Sequence, residues 1–394
     1  MTAASPSGRP AVKVTARGAE RWKQGHPWIY RSDVAEEADK TPGIVPVTDR
    51  KGKFLGQALY SPKSEIRLRL LTRGVEPIDA TWWTKQIGNA AERRTGISAS
   101  AWRAVHGEGD GLPSLIIDKY GPYVVAQLLS AGLESARADV VAAIREVFGP
   151  EGILLRNDAG VRRHEGLDEE VALVHGGVPQ TVEITEDGVR YLAAPWTGQK
   201  TGAFLDQREN RSLIGQHTKL RGRALDLFAY HGSFALHLAR RAKEVVAVDQ
   251  SAEALARGAD NARLNGISNI TWMEANTFDL LRDLERRREQ FDTIVLDPPA
   301  FAKTKANLER AVAGYKEINL RAMRILAPGG YLFTSSCSYH VSRDIFNAML
   351  ADAARDSGRR IQFCAATGAS ADHPELLNVP ETGYLKGALL AAIA

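Results

Sequence analysis

Apolar and polar positions fall into three regimes along the chain. From residue 10 to about 76 they alternate: Val12-Lys13-Val14, Lys53-Phe54-Leu55-Gly56-Gln57-Ala58-Leu59-Tyr60 and Ile66-Arg67-Leu68-Arg69-Leu70-Leu71 stand between Gly and Pro turns, a period of two that predicts strands. From 77 to 190 the periods mix. Trp82 to Thr95 carries Trp82, Trp83, Ile87, Ala90 and Ala91 on a helical period. Leu115 to Asp118 and Tyr123 to Leu129 read as strands, Ser135 to Phe148 as a helix stopped by Gly149-Pro150, and Gly152 to Arg156 and Val182 to Glu186 as strands. Two strands, a helix and two strands predict a compact α+β module with no catalytic constellation. Within it, Gly107-Glu108-Gly109-Asp110-Gly111 reads as a turn.

From 220 onward strands and helices alternate. A strand enters the turn Asp226-Leu227-Phe228-Ala229-Tyr230-His231-Gly232, a helix opens at Ser233, and Val245 to Val248 leads into Asp249. Ser251 is placed to cap a helix from Ala252 to Leu264, which ends at Asn265-Gly266. Asn269 to Glu274 leads to Asn276, Thr277 to Arg288 is helical, and Asp292 to Leu296 enters Asp297-Pro298-Pro299. A helix from Asn307 to Leu326 stops at Pro328-Gly329-Gly330, and Tyr331 to Thr334 enters Ser335-Ser336-Cys337-Ser338. This alternation predicts an α/β fold, a Rossmann-like, doubly wound and mainly parallel sheet with ligands at the carboxyl ends of its strands. Asp249, Asn276, Asp297 and Cys337 all fall at such ends. Cys364, in the late apolar strand Ile361 to Ala365, reads as core.

The turn before Ser233 has a single glycine, which serves a dinucleotide pyrophosphate poorly. Ribose and adenine without phosphate fit better, with Asp249 accepting from the ribose hydroxyls, and S-adenosylmethionine is the common ligand of that kind. An ordinary βα turn has the same local pattern. Gly198 to Arg208 is too polar and glycine-rich for a plain linker, yet it lacks the G-K-[ST] order of a Walker A loop. It is expected to close over the cofactor pocket, with Lys200 and Arg208 facing phosphate or the methionine carboxylate.

Composition narrows this picture. At 394 residues, 44% hydrophobic and 25% charged, the chain suits a soluble protein of two or three domains. No apolar run approaches the roughly 18 residues of a membrane span. The N-terminus has no apolar signal core and reads as the frayed start of a cytosolic, hence cytoplasmic, protein. Two cysteines are too few for a disulfide framework or a zinc site. A net charge of +4 with a pI of about 9.0 permits a nucleic-acid partner. Arg67 and Arg69 share one strand face, with Arg17, Arg21, Lys23, His26, Arg31 and Lys63 nearby and Trp22, Trp28, Tyr30 and Tyr60 interleaved. Cations beside aromatics suit RNA, and a solvated basic face over core aromatics is the plainer alternative.

The candidate chemistry centres on Cys337. Carbon 5 of a pyrimidine has no lone pair, so its methylation requires a thiolate to add at carbon 6 first. Cys337 stands at a strand end where it could do so, Asp297 could stabilise the adduct at the ring nitrogen, and carbonyls stiffened by Pro298 and Pro299 could read an exocyclic amine. Cys337 could equally be a small residue filling a tight strand end. Asp-Pro-Pro also serves amino methyltransferases, where an aromatic residue follows and stacks on the base; here Ala300 follows, then Phe301. His340 reads as a hydrogen-bonded loop residue.

Two resemblances join these residues. Gly25-His26-Pro27-Trp28-Ile29-Tyr30, Val47-Thr48-Asp49 and Gly56-Gln57-Ala58 resemble a PUA domain, a pseudo-barrel attached to RNA-modifying enzymes. Asp226 to Gly232, Asp249, Asn276, Asp297 to Phe301 and Ser336-Cys337-Ser338 resemble the class I S-adenosylmethionine-dependent RNA 5-methylcytosine methyltransferases. The branch most resembled is the bacterial one with an N-terminal PUA domain that modifies large-subunit ribosomal RNA. The likeness extends to Thr201-Gly202 to Arg208, Asp372-His373-Pro374 and Tyr384-Leu385-Lys386-Gly387. It implies a PUA-like domain over 1–76, a middle domain over 77–190 and a methyltransferase domain over 191–394. It further implies that Phe228, Ala229, Tyr230, Gly232 and Asp249 hold the cofactor, that Asn276 lies by the adenine, that Asp297 contacts the base beside the cofactor, and that Cys337 is the nucleophile. RNA is the implied partner, without membrane, and a homodimer is compatible. Two departures stand out. Pro299 occupies the place of the second Cys that helps many such enzymes release product, so the resemblance assigns no residue to that step. Asn276 stands where an Asp is frequent. An amino-group methyltransferase on an RNA base or protein, and an RNA-binding or assembly factor with a vestigial methyltransferase fold, are the rival functions.

Overall fold

Segments of strand period pair as their turns allow in a computed structural model that describes residues 9–37, 39–302 and 304–393. The expected frayed start, residues 1–8, lies outside the described residues. Contacts divide the chain into two compact units. One takes the described residues up to Ile184 with Ala193–Leu205 and Asp372–Thr382; the other takes Thr185–Leu192, Asp206–Ala371 and the chain from Gly383 onward.

The first unit carries two sheets. The six-stranded one runs Trp28–Tyr30, Ile66–Thr72, Phe54–Tyr60, Gly43–Asp49, Val12–Val14, Val34–Glu36. Val14, Trp22, Ile29, Val47, Tyr60 and Leu68 close its core. One expectation fails here. Arg67 and Arg69 are only 7% and 5% exposed. Arg67 pairs with Glu37 at 2.9 Å and donates to the Ser64 carbonyl at 3.2 Å, while Arg69 pairs with buried Glu165 at 2.8 Å. A guanidinium taken out of water needs carboxylates and carbonyls around it, so these two cations hold the fold and are not offered to RNA. Trp22 and Tyr60 likewise are core. Arg17, Lys23, Arg31 and Lys63 remain exposed.

The second sheet of that unit has five strands, Glu170–Gly176, Gly152–Asn157, Tyr123–Leu128, Leu115–Tyr120 and Ala101–His106. Helices Ala80–Glu92 and Arg137–Phe148 bury Trp83, Ile87, Val140 and Ile144 against it. The two outer strands escaped the sequence pattern. Ala101–His106 turns polar Arg103 inward, which is tolerable because Asp118 receives it at 2.8 Å. Glu170–Gly176 is an edge and leaves Val171 and Leu173 exposed. Gly107–Asp110 is a short 3-10 turn in which Asp110 grips Arg94 at 2.6 Å.

The second unit is a seven-stranded sheet in the order Ile270–Glu274, Glu244–Asp249, Arg223–Leu227, Phe291–Leu296, Leu326–Ser336, Lys386–Ala392, Ile361–Thr367. The first five are parallel, and the last two are antiparallel to their neighbours. Helices cover both faces, as the doubly wound reading requires: Tyr315, Ile318, Met323 and Phe346 on one, Ile214, Phe234 and Leu238 on the other. The order in which successive strands are laid down reverses at Arg223–Leu227, where an open α/β sheet leaves a crevice beyond the carboxyl ends. Cys364 corrects a second expectation. It is exposed, because Ile361–Thr367 became the outermost strand and only its inner edge is paired. Among the described residues no helix is long and apolar enough to cross a membrane.

Candidate active site

Buried strand Arg223–Leu227 runs into a turn with an unusual backbone. Phe228, Tyr230 and Gly232 take φ of +67°, +50° and +78°. A left-handed non-glycine residue costs about 1 kcal/mol, and such strain persists only where surrounding bonds impose it. Here Ala229 N–H donates to the Val248 carbonyl at 2.9 Å and Tyr230 N–H to Asp249 Oδ2 at 2.8 Å. Gly232 has a steric requirement besides, since a β-carbon there would stand 2.3 Å from the Trp272 ring. Asp249 closes the next strand and accepts from Ser251 N–H through Oδ1 at 2.9 Å. Each carboxylate oxygen has a further lone pair, so the acid can hold the turn and still accept from a ribose hydroxyl.

Asp226 lies at the end of the same strand, fully buried. Its Oδ2 accepts from Ala235 N–H at 2.8 Å and its Oδ1 has no hydrogen-bond partner. Burial, then the charges of Asp297 and Asp249, push its carboxyl up to about 8. Three carboxyl groups therefore converge on the ends of adjacent strands, and of these Asp249 and Asp297 suit a ligand carrying positive charge, such as a sulfonium with an α-ammonium group. The raised value has a sign. A proton held more tightly in the folded state stabilises it fully below the ordinary carboxylate range, and that stability is lost as pH rises from about 4 through about 8. Asp226→Asn should therefore match the parent's stability in urea titrations near pH 4 and exceed it at pH 8, by several kcal/mol at roughly 1.4 kcal/mol for each pH unit by which the carboxyl is raised.

The two side chains expected to react stand on the next strands of the sheet. Phe291–Leu296 and Leu326–Ser336 pair in parallel with Leu296 opposite Thr334, so Asp297 and Cys337 leave the sheet at the same end. Cys337 Sγ lies 3.9 Å from the Pro298 carbonyl oxygen. Pro298 is buried and Pro299 exposed. Asp297 Oδ1 accepts from Gln207 Nε2 at 2.7 Å and from the Ser335 hydroxyl at 2.5 Å. The loop after Cys337 is anchored by buried Lys386, whose Nζ donates to the Ser338 carbonyl at 2.7 Å, and by Tyr315, whose hydroxyl lies 2.8 Å from Ser338 Oγ. Phe301 packs its ring near Tyr315, Phe278 and Phe228, at centroid distances of 4.6, 5.9 and 6.4 Å.

The remaining expected residues are placed differently from one another. Asn276 is exposed and caps helix Thr277–Arg286, its Oδ1 accepting from the Phe278 and Asp279 amides at 2.9 and 3.2 Å. Arg208 is 7% exposed and pairs with Glu209 at 2.9 Å. Lys200 belongs to the other unit, where its ammonium lies 4.8 Å from the Phe204 ring centre. Gln207, Asn210, Ser335 and Lys386 were not foreseen. Gln207 lies in the polar stretch the sequence did single out, but there the cations drew the attention and an amide did not. His231 was also missed. Burial, then the charge of Arg211, bring its imidazole down to about 4, and it stacks neutral on Tyr191 at 5.5 Å beneath the turn.

A PUA-like domain model matches residues 12–73, and an S-adenosylmethionine-dependent methyltransferase model matches residues 161–390. Ribosomal RNA large subunit methyltransferase I of Vibrio cholerae is 39% identical over 390 residues, 96% of this chain and 98% of that protein. The Erwinia tasmaniensis protein of the same name is 39% identical over 386 residues, covering 95% and 97%. Two solved chains, one assigned as a SAM-dependent methyltransferase from Streptococcus mutans and one assigned as a methyltransferase complexed with SAH, superpose with TM-score 0.83 at 20% identity. Each alignment covers 97% of this chain and 100% of the other, a likeness of fold.

Proposed function

The chain belongs to the S-adenosylmethionine-dependent methyltransferase family that includes the large-subunit methyltransferase I proteins, and from that premise we propose that it methylates carbon 5 of a cytosine in large-subunit ribosomal RNA. The observation that carries this reading is a thiol and a carboxylate, Cys337 and Asp297, at the ends of neighbouring parallel strands beside the cofactor turn. S-adenosylmethionine supplies an electrophilic methyl group. Phe228 to Gly232 and Asp249 hold it, with Asn276 near the adenine. The Cys337 thiolate forms a bond to carbon 6 of the extruded cytosine, and the electron pair of the 5,6 double bond moves to carbon 5, which takes the methyl group with cleavage of the sulfonium–methyl bond and release of S-adenosylhomocysteine. Asp297, as the acid, supplies a proton toward the ring nitrogen where this negative charge develops and takes it back on elimination. Transfer of the carbon 5 proton to water returns its electron pair to the ring and breaks the bond to sulfur, which frees the Cys337 thiolate. Pro298 and Pro299 stiffen the wall that meets the base, while Lys200 contributes positive charge toward RNA phosphates; Arg208, buried and paired with Glu209, does not.

The division of labour we infer gives 1–76 to RNA binding, 77–190 to shaping the substrate cleft and 191–394 to transfer, in a cytoplasmic enzyme. Phe301 weighs against the amino-methyltransferase alternative. The ring that would stack on a base is already packed among Phe228, Phe278 and Tyr315.

The decisive experiment is covalent trapping on RNA that carries 5-fluorocytosine, whose fluorine blocks the final elimination. A band that resists denaturation, requires S-adenosylmethionine and disappears in Cys337→Ala is expected. Enzyme that methylates unmodified RNA yet gives no band would overturn the thiolate mechanism.

A further inference from the structure

Asp297 is held by a chain of neutral donors that begins far from it in sequence. Gln207 directly precedes helix Arg208–His217 without a side-chain bond to its amides, and Asn210 lies in that helix's first turn. Both are buried, at 3% and 4% exposure. Asn210 Nδ2 donates to the Gly368 carbonyl at 2.9 Å and to Gln207 Oε1 at 2.6 Å, and Gln207 Nε2 donates to Asp297 Oδ1 at 2.7 Å. The polarity of this chain is not free. A backbone carbonyl can only accept, so Asn210 must present its amide nitrogen to Gly368; the second hydrogen of that nitrogen occupies the oxygen of Gln207; and the nitrogen end of Gln207 is thereby turned to the carboxylate. Ser335 donates to the same oxygen. A lysine or arginine at this place would also orient Asp297, but its positive charge would hold the carboxyl ionised and oppose the proton that the ring nitrogen needs as the anionic adduct forms. Amides orient it without adding a charge.

We propose that Gln207 and Asn210 are positioning residues for methyl transfer, forming a donor relay from the Gly368 carbonyl that fixes the Asp297 carboxylate in one orientation. The proposal rests on the reading of Asp297 as the group that meets the base. It assigns function to two residues that act through Asp297.

The test uses the full-length protein and single-turnover transfer to a large-subunit ribosomal RNA transcript. Gln207→Met removes the donor at nearly constant volume and should slow transfer by about 30-fold, the size of a lost hydrogen bond to a charged group. Asn210→Leu should slow it by about 10-fold, because the Gln207 amide is then free to turn its oxygen toward Asp297. Affinity for S-adenosylmethionine, measured by calorimetry, and the KM for RNA should stay within about twofold of the parent for both. The double variant should be no slower than Gln207→Met alone, since the relay is already cut. Should Gln207→Met fold poorly, Gln207→Glu supplies an independent reading. Its carboxylic acid can donate to Asp297 only when protonated, so its rate relative to the parent should recover as pH falls toward 5. Single effects that multiply in the double variant, a Gln207→Met rate within twofold of the parent, or a pH-independent ratio for Gln207→Glu would each overturn the relay. Failure of the underlying reading shows elsewhere, as a parent enzyme that forms no adduct with 5-fluorocytosine.

Discussion

Cys337→Ala should abolish methylation of ribosomal RNA, with a loss on the order of 10⁴-fold or more in single-turnover rate, while S-adenosylmethionine still binds. The expected split follows from where the side chain stands. Cys337 is half-buried, its sulfur contacts the Pro298 carbonyl, and it is not part of the turn Phe228 to Gly232, so its removal leaves that turn and most of the packing unchanged. The chemistry is another matter. Without an adduct at carbon 6 the ring has no electron pair to offer at carbon 5, and neighbouring groups cannot substitute for a carbon–sulfur bond. Cys337→Ser should fare no better, because an alcohol is scarcely ionised near neutral pH. Mass analysis of the digested product nucleosides, together with calorimetric cofactor affinity, checks both halves. If Cys337→Ala methylates at a rate near the parent's, the methyl group goes to an atom that already has a lone pair, and the amino-methyltransferase reading replaces this one.

The second large effect is expected at Gly232. Gly232→Ala should weaken cofactor binding by about 100-fold and destabilise the second unit by about 2–3 kcal/mol, combining left-handed strain with overpacking. Its new β-carbon would meet the Trp272 ring at 2.3 Å while the residue is held at φ +78°. Two comparisons separate these causes. Gly266→Ala has a similar φ of +65° with nothing within 4 Å, and should lose only the strain, about 1 kcal/mol, with cofactor affinity intact. Gly258→Ala, which presses the same tryptophan at 2.4 Å from a helix, should destabilise without a left-handed penalty. Adding Trp272→Leu to Gly232→Ala should restore part of the cofactor affinity by clearing the clash. An affinity for Gly232→Ala within threefold of the parent would mean that the turn does not hold the cofactor.

The two units differ in how much of their organisation could be read in advance, and the difference is physical. In the second unit nearly every strand entered a helix through a short turn, so period, caps and turn residues marked the elements where they formed. Ser251 before Ala252–Leu264 is one such local signal, realised as a side-chain cap on the Ala254 amide at 3.2 Å. In the first unit the outer strands of the five-stranded sheet bury charge on one edge and expose aliphatics on the other, which erases the alternation a strand should show. Arginine on a strand face is equally ambiguous. Arg67 and Arg69 would face solvent if nothing covered them, and Glu37 and Glu165, remote in sequence, decide otherwise.

What the sequence by itself determined is the doubly wound unit, the single-glycine turn ending in Gly232, and the positions of Asp249, Asp297 and Cys337 at strand ends. Those depend on backbone periods and turn chemistry, which act over a few residues. What only the tertiary structure decided is which strand ends are neighbours, and with it everything that requires two of them. Strand order and register bring Asp297 beside Cys337, carry the amide of Gln207 across 90 positions to Asp297, and set Lys386 under the loop that follows Cys337. The same order leaves Cys364 on the outermost strand, exposed although its segment is apolar. Burial and pairing are properties of the assembled sheet, because one strand's period states which face is apolar and not what will come to cover it.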